Sequence, residues 1–434
     1  MENEFKDTEI GKIPVDWNVA TFSEIIDINP KRTLKKGEKY KKIAMTDIKE
    51  YTRKIQSYSD EEYKGGSRFT NEDTLFARIT PCLENGKTAF VDILNENEIA
   101  FGSTEFIVLC GKEGITDSKY VYYLSISPEI RKKTIKSMIG TSGRQRVPNE
   151  VFGSIEIPLP PLSEQQKIAQ ILSALDDKIE NNNQQNKILE ETANSIFKEW
   201  FVDFNFLDEN GLPYFENGGK MEFNEELGIE IPKGWSVKSI GEVSKFYKGL
   251  SYKSDGFSED GIPMINLKCF ERNGGFRHDG IKYYGGPYKK SHMVKKGDLV
   301  IAMTDVTQNA DVIGNPAIVP ETGSEINIMS LDVGKVETDE KLVSIGFLYG
   351  VFSSYHYLNF IKNYTTGTTV LHLNKDGIMN YEFPMPPQNL ILEYTEIFNN
   401  IYGKISKNNL ENQYLSNLRD LLLPKLMSGE IRLK

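Results

Sequence analysis

The chain has 434 residues, of which 39% are hydrophobic, 26% charged and 11% aromatic, and this composition predicts a globular protein of two to four domains. No run of about 18 apolar residues predicts a membrane span, and no secretory-type apolar segment opens the chain. The three cysteines are widely spaced and odd in number. They argue against a disulfide framework or a paired-cysteine metal site and favour reduced thiols in the cytoplasm.

The net charge of −10 argues at first against a nucleic-acid partner, but the charges are segregated along the sequence. Three segments are basic: residues 31–54 contain ten Lys or Arg and three Asp or Glu, residues 131–146 contain six Lys or Arg and no acid, and residues 277–296 contain six Lys or Arg and one acid. Residues 162–216 are acidic, with four Lys or Arg and eleven Asp or Glu. Taken singly, each basic segment is better explained as a solvated loop. Their shared placement in two globular stretches favours a polyanionic partner instead.

Residues 1–157 are predicted to form an α+β block. Short β-branched and aromatic runs such as "KTAFVDIL" and "TEFIVLC" alternate with turn residues, and a few helical stretches are mixed in.

Residues 158–204 begin with a proline cluster, "IPLPPLSEQQ", and continue as a long helical pattern. Proline is tolerated at a helix start and excluded from its interior, and Ser163 with Gln166 has the form of a capping box.

The second half of the sequence repeats the first. "IGKIPVDWNV" from Ile10 recurs as "LGIEIPKGWSV" from Leu227, and "DTLFARIT" from Asp73 matches "DLVIAMT" from Asp298. "GTSGRQRVPNE" from Gly140 is echoed by "TTGTTVLHLNKD" from Thr365, and "EIPLPP" aligns with "EFPMPP" at a shift of 226 positions. Residues 205–383 are therefore predicted to form a linker and a second α+β block, and residues 384–434 a second helix.

Both helical patterns carry a heptad seam that predicts a coiled coil. The seam positions include Ile168, Leu172, Leu175, Ile179, Asn182, Asn186 and Leu189 in the first helix, and Phe398, Ile401, Ile405, Asn408, Asn412 and Leu415 in the second. If the helices, each about 60 Å long, pair antiparallel, the four asparagines meet at the centre and can hydrogen-bond one another, whereas in a parallel pair with any stagger they would face leucines. The sequence thus predicts a pseudo-twofold internal repeat, with two helices packed separately on their own domains as the alternative.

No catalytic motif is present. The sequence lacks a phosphate-binding loop, a dinucleotide fingerprint, a zinc-protease motif, a nucleophile elbow and the Asn/Asp-Pro-Pro-aromatic element of amino-methyltransferases. Its four histidines show no metal-ligand spacing, so neither a metal nor a cofactor site is predicted.

The basic segments and polar loops instead nominate residues for DNA contact. Lysines and arginines suit phosphates, and Arg, Asn, Gln and Thr suit base edges. The candidates are Lys31, Arg32, Lys35, Lys36, Arg53, Arg78, Lys87, Arg144, Gln145 and Arg146 in the first block, and Tyr252, Lys253, Asn266, Arg272, Arg277, Lys289, Lys290, Thr368 and Thr369 in the second.

In these motifs the chain closely resembles the specificity subunit of type I restriction-modification systems. "GKIPVDW" and "GIEIPKGW" look like the opening motif of that family's domains, and "IPLPPLSEQQKIAQIL" looks like the start of its central conserved region. "FKEWFVDFNFLDENGLPYFENGG" and "LLLPKLMSGEIRL" resemble the stretch before the second domain and the usual ending of the distal region. The resemblance covers nearly the whole length.

The resemblance implies a non-catalytic subunit with two target recognition domains that read a split DNA sequence. The helices would act as spacer and dock two methyltransferase subunits, which bring S-adenosylmethionine and modify adenine. A motor-nuclease subunit would join them for restriction. The second helix departs from the pattern by lacking "SEQ" and by placing Arg419 where the first helix has Ala193, so its contacts are expected to differ.

Two other interpretations stay open from the sequence alone. One is a coiled-coil scaffold whose globular ends bind proteins without DNA specificity. The other is a self-sufficient methyltransferase or nuclease with an unrecognised site.

Overall fold

The computed structural model describes residues 5–272, 274–307 and 309–433, and the chain forms two compact units. The first unit comprises Met1–Asn182 and Glu411–Lys434, and the second comprises Asn183–Leu410. Each unit therefore contains a globular part and one portion of each of two long helices. Neither of those helices, nor any other helix in the described ranges, is long and apolar enough to cross a membrane.

The first unit mixes short strands with short helices. Its strands are β1 Phe5–Thr8, β2 Gly11–Pro14, β3 Asn18–Thr21, β4 Ile26–Ile28, β5 Lys39–Ile43, β6 Ser59–Glu62, β7 Ser67–Phe69, β8 Thr74–Ala77, β9 Thr88–Phe90, β10 Ala100–Gly102, β11 Phe106–Gly111 and β12 Glu156–Leu159. Its helices are α1 Phe22–Ile25, α2 Ser118–Ile126, α3 Pro128–Lys136 and α4 Asn149–Ser154, followed by the long α5 Leu162–Phe201.

Two four-stranded sheets form the centre of this unit. One is antiparallel, with the order β4-β11-β8-β9, and the other has the order β6-β5-β10-β7 with β5 and β10 parallel. Strand β8 is buried on both faces because Phe76 packs into the cluster of Trp17 and Tyr120, whereas Leu75 packs into the cluster of Phe69. Burial on both faces explains why this strand is a continuous apolar run rather than an alternating one.

The second unit contains the same kinds of element in a similar order, with additional short strands. Its strands are β13 Met221–Asn224, β14 Ile229–Pro232, β15 Ser236–Ser239, β16 Ser244–Lys248, β17 Phe257–Ile265, β18 Lys282–Tyr284, β19 Met293–Val294, β20 Leu299–Ala302, β21 Thr304–Asp305, β22 Pro316–Ile318, β23 Asn327–Met329, β24 Val333–Thr338, β25 Thr365–Thr366, β26 Leu371–Leu373 and β27 Glu382–Met385. Its helices are α6 Ile240–Val243, α7 Ile345–Ser353, α8 Tyr355–Lys362 and α9 Lys375–Met379, followed by the long α10 Gln388–Ser428.

The sheets of the second unit follow the plan of the first. The order β16-β24-β20-β22 corresponds to β4-β11-β8-β9, and β18-β17-β23-β19 again contains one parallel pair, β17 with β23. In both units the last strand of the globular part pairs antiparallel with an early one, β12 with β3 and β27 with β15. That pairing brings the chain to the start of a long helix, and the predicted α+β fold with an internal repeat is confirmed.

The two long helices run antiparallel inside each unit, as predicted. In the first unit Asn182 Nδ2 donates to Asn412 Oδ1 at 3.0 Å. In the second, Asn408 Nδ2 donates to Asn186 Oδ1 at 2.9 Å, and Asn186 Nδ2 donates to Asn409 Oδ1 at 2.7 Å. Partner numbers in α10 fall as those in α5 rise, and every predicted seam position is buried or half-buried.

Two local expectations about the helices were wrong. Ser163 does not cap α5, because the helix already begins at Leu162 and the amide of Gln165 donates to Pro161 O at 3.0 Å. Proline is not confined to the helix entrances, since Pro424 lies inside the last turns of α10. Pro424 has no N–H to donate to the carbonyl of Asp420, but Asp420 is exposed, so water can take the place of that donor. The expected difference at Arg419 is confirmed, because its Nη1 donates to the buried Asp176 Oδ1 at 2.8 Å, a contact that Ala193 of the first helix cannot make.

Candidate nucleic-acid interface

A polar hairpin before α4 is the most prominent candidate site of the first unit. Ile139 and Arg146 pair across its base, and the intervening residues 140–144 are exposed. Gly140 has φ +127°, and a Cβ there would lie 3.1 Å from Arg144 O, so the turn requires glycine. The tip therefore presents Arg144 to solvent on a tight, defined backbone.

A neighbouring loop and an acidic side chain hold this hairpin in place. Arg146 donates from Nε and Nη2 to the carboxylate of Glu105, at 3.0 and 2.8 Å. The amide of Thr80, in the loop after β8, donates to Gln145 O at 3.0 Å. Arg78 Nη1 donates to Asn149 Oδ1 at 3.0 Å. The structure thus brings Arg78, Gln145 and Arg146 into one cluster beside Arg144.

The second unit has a hairpin at the equivalent place, before α9. Strands β25 and β26 pair through Thr365 with Leu373 and Thr366 with His372, and Thr368 and Thr369 at the tip are exposed. Gly367 has φ +109°, and a Cβ there would lie 2.0 Å from Val370 O. The two hairpins share a backbone role but differ in charge, since Arg144, Gln145 and Arg146 of the first are replaced by Thr368, Thr369 and Val370 in the second.

Asp305 orders the loop beside the second hairpin. Its carboxylate accepts hydrogen bonds from the amides of Thr307 at 2.6 Å, Val312 at 2.6 Å and Ile313 at 2.9 Å. Burial raises the pKa of Asp305, but these hydrogen bonds outweigh it and hold the pKa below its usual value. Strand β21, which contains Asp305, pairs with β26 and so attaches this loop to the hairpin.

Basic residues of the first unit divide into exposed and internally engaged groups. Lys31, Lys35 and Lys36 are exposed, which suits phosphate contact. Lys87 is half-buried and donates to Met45 O at 2.9 Å. Arg32 is half-buried and forms an ion pair with the buried Asp73 at 2.7 Å, so we revise its expected role from DNA contact to support of the loop that carries the lysines.

Arg53 is also reassigned. Only 9% of its surface is exposed, and its guanidinium pairs with Asp177 of α5 and lies 3.5 Å from Tyr123 Oη. A guanidinium so engaged is not available for a phosphate or a base. Arg53 instead joins the globular part of the first unit to its long helix.

Nominated residues of the second unit also divide in two. Lys253, Arg272, Lys289 and Lys290 are exposed, whereas Tyr252 packs against the ring of Phe257. Arg277 is half-buried and forms an ion pair with Asp279 at 2.6 Å. Asn266 is 4% exposed, donates to Gly280 O at 2.7 Å and accepts from the amide of Lys268 at 3.0 Å, so we reassign it to the folding of its loop.

Several residues that shape these sites were not predicted. Glu105, Thr80 and Asp305 position the two hairpins, but single acids and threonines in turns carry no periodic or motif signal in a sequence. Within the described ranges, no group of His, Cys, Asp and Glu is arranged to hold a metal ion.

The start of α5 is fixed by contacts with both ends of the chain. Trp17 Nε1 donates to Glu164 Oε2 at 2.9 Å, and Arg432 donates to both oxygens of Glu164 at 2.8 Å. Burial raises the pKa of Glu164, but the hydrogen bonds from Arg432, Trp17 and the Leu433 amide outweigh it and lower the pKa overall. Glu164, the middle residue of the "SEQ" that follows the proline cluster, therefore stabilises the packing of the first unit.

The fold and its two loop-bearing units define a duplicated DNA-recognition protein. The family model described as the type I restriction modification DNA specificity domain matches residues 14–191 and 232–416, which together are most of the chain. The chain belongs to this family.

Known relatives agree along the whole length. The type I restriction enzyme MjaIX specificity subunit of Methanocaldococcus jannaschii is 28% identical, over 100% of this chain and 98% of the relative. The HindI specificity subunit of Haemophilus influenzae is 26% identical, over 83% and 86%. The type I S subunit of M. genitalium shares the fold, with a TM-score of 0.52, 17% identity and coverage of 98% of this chain and 99% of that one.

The chain is thus a DNA specificity subunit of the type I restriction-modification class, and it is a recognition component rather than an enzyme. Its partners are DNA and a restriction-modification complex. No comparison supports the alternative of a scaffold without DNA specificity.

Proposed function

We propose that each unit reads one half of a bipartite, asymmetric DNA target. The observation that carries this proposal is that two equivalent hairpins on the same framework present different side chains, Arg144 to Arg146 in one and Thr368 with Thr369 in the other. Arginine pairs best with guanine in the major groove, whereas threonine hydroxyls and methyl groups suit other base edges. Different loops on one framework would therefore select different half-sites.

The exposed lysines would position each unit on the duplex. Phosphate contacts by Lys31, Lys35 and Lys36 in the first unit, and by Lys289 and Lys290 in the second, would fix register without reading sequence. They would also make binding weaken steeply as salt is raised.

The helices would set the distance between half-sites and dock two methyltransferase subunits. Apolar side chains on their outer faces support a docking role: Tyr414, Leu418 and Leu421 are 67%, 44% and 60% exposed in the first unit, and Ile188 and Leu392 are 62% and 58% exposed in the second. A motor-nuclease subunit would join this assembly for restriction.

S-adenosylmethionine would enter the complex with the methyltransferase subunits, and this chain would hold no cofactor. The modified base would be an adenine in each half-site. Because the target is the DNA of the cell and of invading phage, we place the complex in the cytoplasm.

Adenine methylation supplies the test. The chain should be co-expressed with the methyltransferase subunit from its own genome, and the modified adenines mapped by single-molecule sequencing. We expect one asymmetric sequence interrupted by a fixed spacer. Methylation at a continuous sequence, or at many unrelated ones, would contradict the proposal.

A binding measurement tests where the cofactor enters the complex. Radiolabelled S-adenosylmethionine should bind the co-purified complex and not the specificity chain alone. Binding to the isolated chain would contradict the proposal that the cofactor enters with the methyltransferase subunits.

A further inference from the structure

The second unit contains a cleft of about 560 Å³ between its globular part and its portions of α5 and α10. One wall is aromatic: Tyr349 and Phe398 have ring centroids 5.5 Å apart, Tyr349 and Tyr402 5.1 Å, and Phe398 stacks on Tyr402 at 4.2 Å. Glu190 of α5 lines the same cleft. An aromatic wall with a carboxylate is the arrangement that attracts organic cations.

Glu190 has no cation partner in the described part of the chain. Its carboxylate faces Gly275: a Cβ added to this glycine would lie 3.4 and 3.5 Å from the two oxygens. Glycine has no side chain, so it cannot supply a charge to Glu190. Burial, with the nearby carboxylates of Glu271 and Glu191, raises the pKa of Glu190 to about 7. A half-buried carboxylate without a compensating charge is unfavourable, so a cation entering the cleft would be bound more strongly than one at the surface.

A second polar group in the cleft is also unsatisfied. The buried hydroxyl of Tyr402 has no hydrogen-bond partner of normal geometry among the described residues, and its neighbour is the hydroxyl of Tyr349, which contributes to raising the pKa of Tyr402. Tyr402 therefore offers an oxygen acceptor beside the carboxylate.

The first unit fills the corresponding space with its own cation. Arg53 lies two residues before the paired residue Ile55, and it pairs with Asp177 of α5. The equivalent loop of the second unit has Gly274 two residues before the paired Phe276, and the position equivalent to Asp177, at the shift of 226, is Gly403. Both members of the ion pair are absent from the second unit, and the cleft lies where they would be.

We propose that this cleft binds a small organic cation of the guanidinium or primary alkylammonium class. The cationic group would donate to Glu190 and to the hydroxyl of Tyr402 while its alkyl part packs on Tyr349 and Phe398. The ligand would then occupy the place that the Arg53 guanidinium occupies in the first unit.

Other charges face the cleft without neutralising Glu190. Lys296 lines it but pairs with Glu321 at 3.3 Å, and Glu271 approaches Arg277 at 3.9 Å. Lys407 and Glu340 are exposed at the rim. Glu190 is thus the group that would bind the cation.

Calorimetric titration of the full chain with methylguanidinium and with butylammonium, at pH 8 and constant ionic strength, tests this site. We expect saturable binding of one or both cations to one site and a loss of at least tenfold in affinity in Glu190→Gln. Glu191→Gln, which changes the next, exposed carboxylate on α5, should bind as the parent does. Absence of saturable binding, or an equal loss in both variants, would overturn the proposal.

The pH dependence provides an independent readout. Because the cation binds the ionised carboxylate, its affinity should be constant above about pH 8 and fall by about tenfold per pH unit well below pH 7. Affinity that does not change between pH 8 and pH 5.5 would contradict binding at Glu190.

A tethered cation covers the case in which Glu190→Gln does not fold. A Cβ on Gly403 would meet no atom within 4 Å, so Gly403→Arg can place a guanidinium in the cleft. We expect it to abolish methylguanidinium binding, whereas Gly403→Ala should retain it. Undiminished binding to Gly403→Arg would overturn the proposed position of the ligand.

Discussion

Arg144 and Arg146 lie two residues apart in the hairpin of the first unit, yet their surroundings differ. Arg146 is fixed by two hydrogen bonds to Glu105, whereas Arg144 is exposed at the tip. We expect Arg144 to contact a base edge and Arg146 to hold the loop in shape. The sequence pattern indicates both arginines but does not separate them, because Glu105 is distant in the chain and belongs to no motif.

Arg144→Ala should lower affinity for the first half-site by about 1 to 3 kcal/mol, the range of one base contact. Competition binding against oligonucleotides with either half-site randomised would measure this loss. Thr368→Ala is the matched control, since it should affect only the other half-site. Equal weakening on all sequences by Arg144→Ala would show that Arg144 contacts phosphate instead.

Glu164 gives the stability of the first unit a pH dependence. Its pKa is lowered in the folded state, so the ionised form contributes stability above its usual value of 4.5, and this contribution is lost as the pH falls through the lowered pKa. Glu164→Gln removes the more buried of the two carboxylates that pair with the half-buried Arg432 guanidinium, the other being Asp16 at 2.7 Å, and should cost about 2 kcal/mol at pH 7.

Urea unfolding at pH 7 and at pH 3.5 would test this prediction. The difference between the parent and Glu164→Gln should be largest at pH 7 and shrink on acidification. Glu113→Gln, at an exposed position in the same unit, is the control and should change little at either pH. A difference that grows on acidification would contradict the assigned role of Glu164.

At the scale of elements, the long helices were predictable and the sheets were not. A heptad seam is a continuous local signal, and together with the proline cluster it predicts the long helix α5. The asparagines in the seam predict the antiparallel pairing of α5 with α10. Strand order depends on distant pairings such as β5 with β10, which no local pattern encodes. Arg53 and Asn266 were misassigned for the same reason, since the contacts that bury them come from elsewhere in the chain.

The asparagines of the seam can be tested as a pair. Asn186→Leu leaves Asn408, which is 1% exposed, with a single weak bond from its Nδ2 to Gln185 Oε1 at 3.5 Å, and should cost about 1 to 3 kcal/mol. Adding Asn408→Leu replaces both polar groups by apolar ones and should recover part of that loss. Denaturant unfolding of the two single variants and the double variant measures the coupling. Strict additivity would mean that the pair does not act as a unit.

At the scale of the whole molecule, duplication with divergence explains how one chain can read two sequences. The two matched family segments share sheet order and hairpin position, while loop charge and the helix-facing residues differ. The order and duplication of the motifs predicted both the internal repeat and the protein family. The identity of the bases was not, because it depends on side chains placed by loops that the repeat does not conserve.

The proposed spacing role of the helices is the central claim. One heptad inserted after Asn186 and one inserted before Asn408 would keep the seam in register in both helices, because these residues face each other. Seven residues add about 10.5 Å, which corresponds to about three base pairs.

Mapping methylated adenines for this double insertion tests the claim most directly. We predict that both half-sites stay the same and that the spacer between them lengthens by about three base pairs. An active complex with the original spacer would contradict the role of the helices in setting the distance.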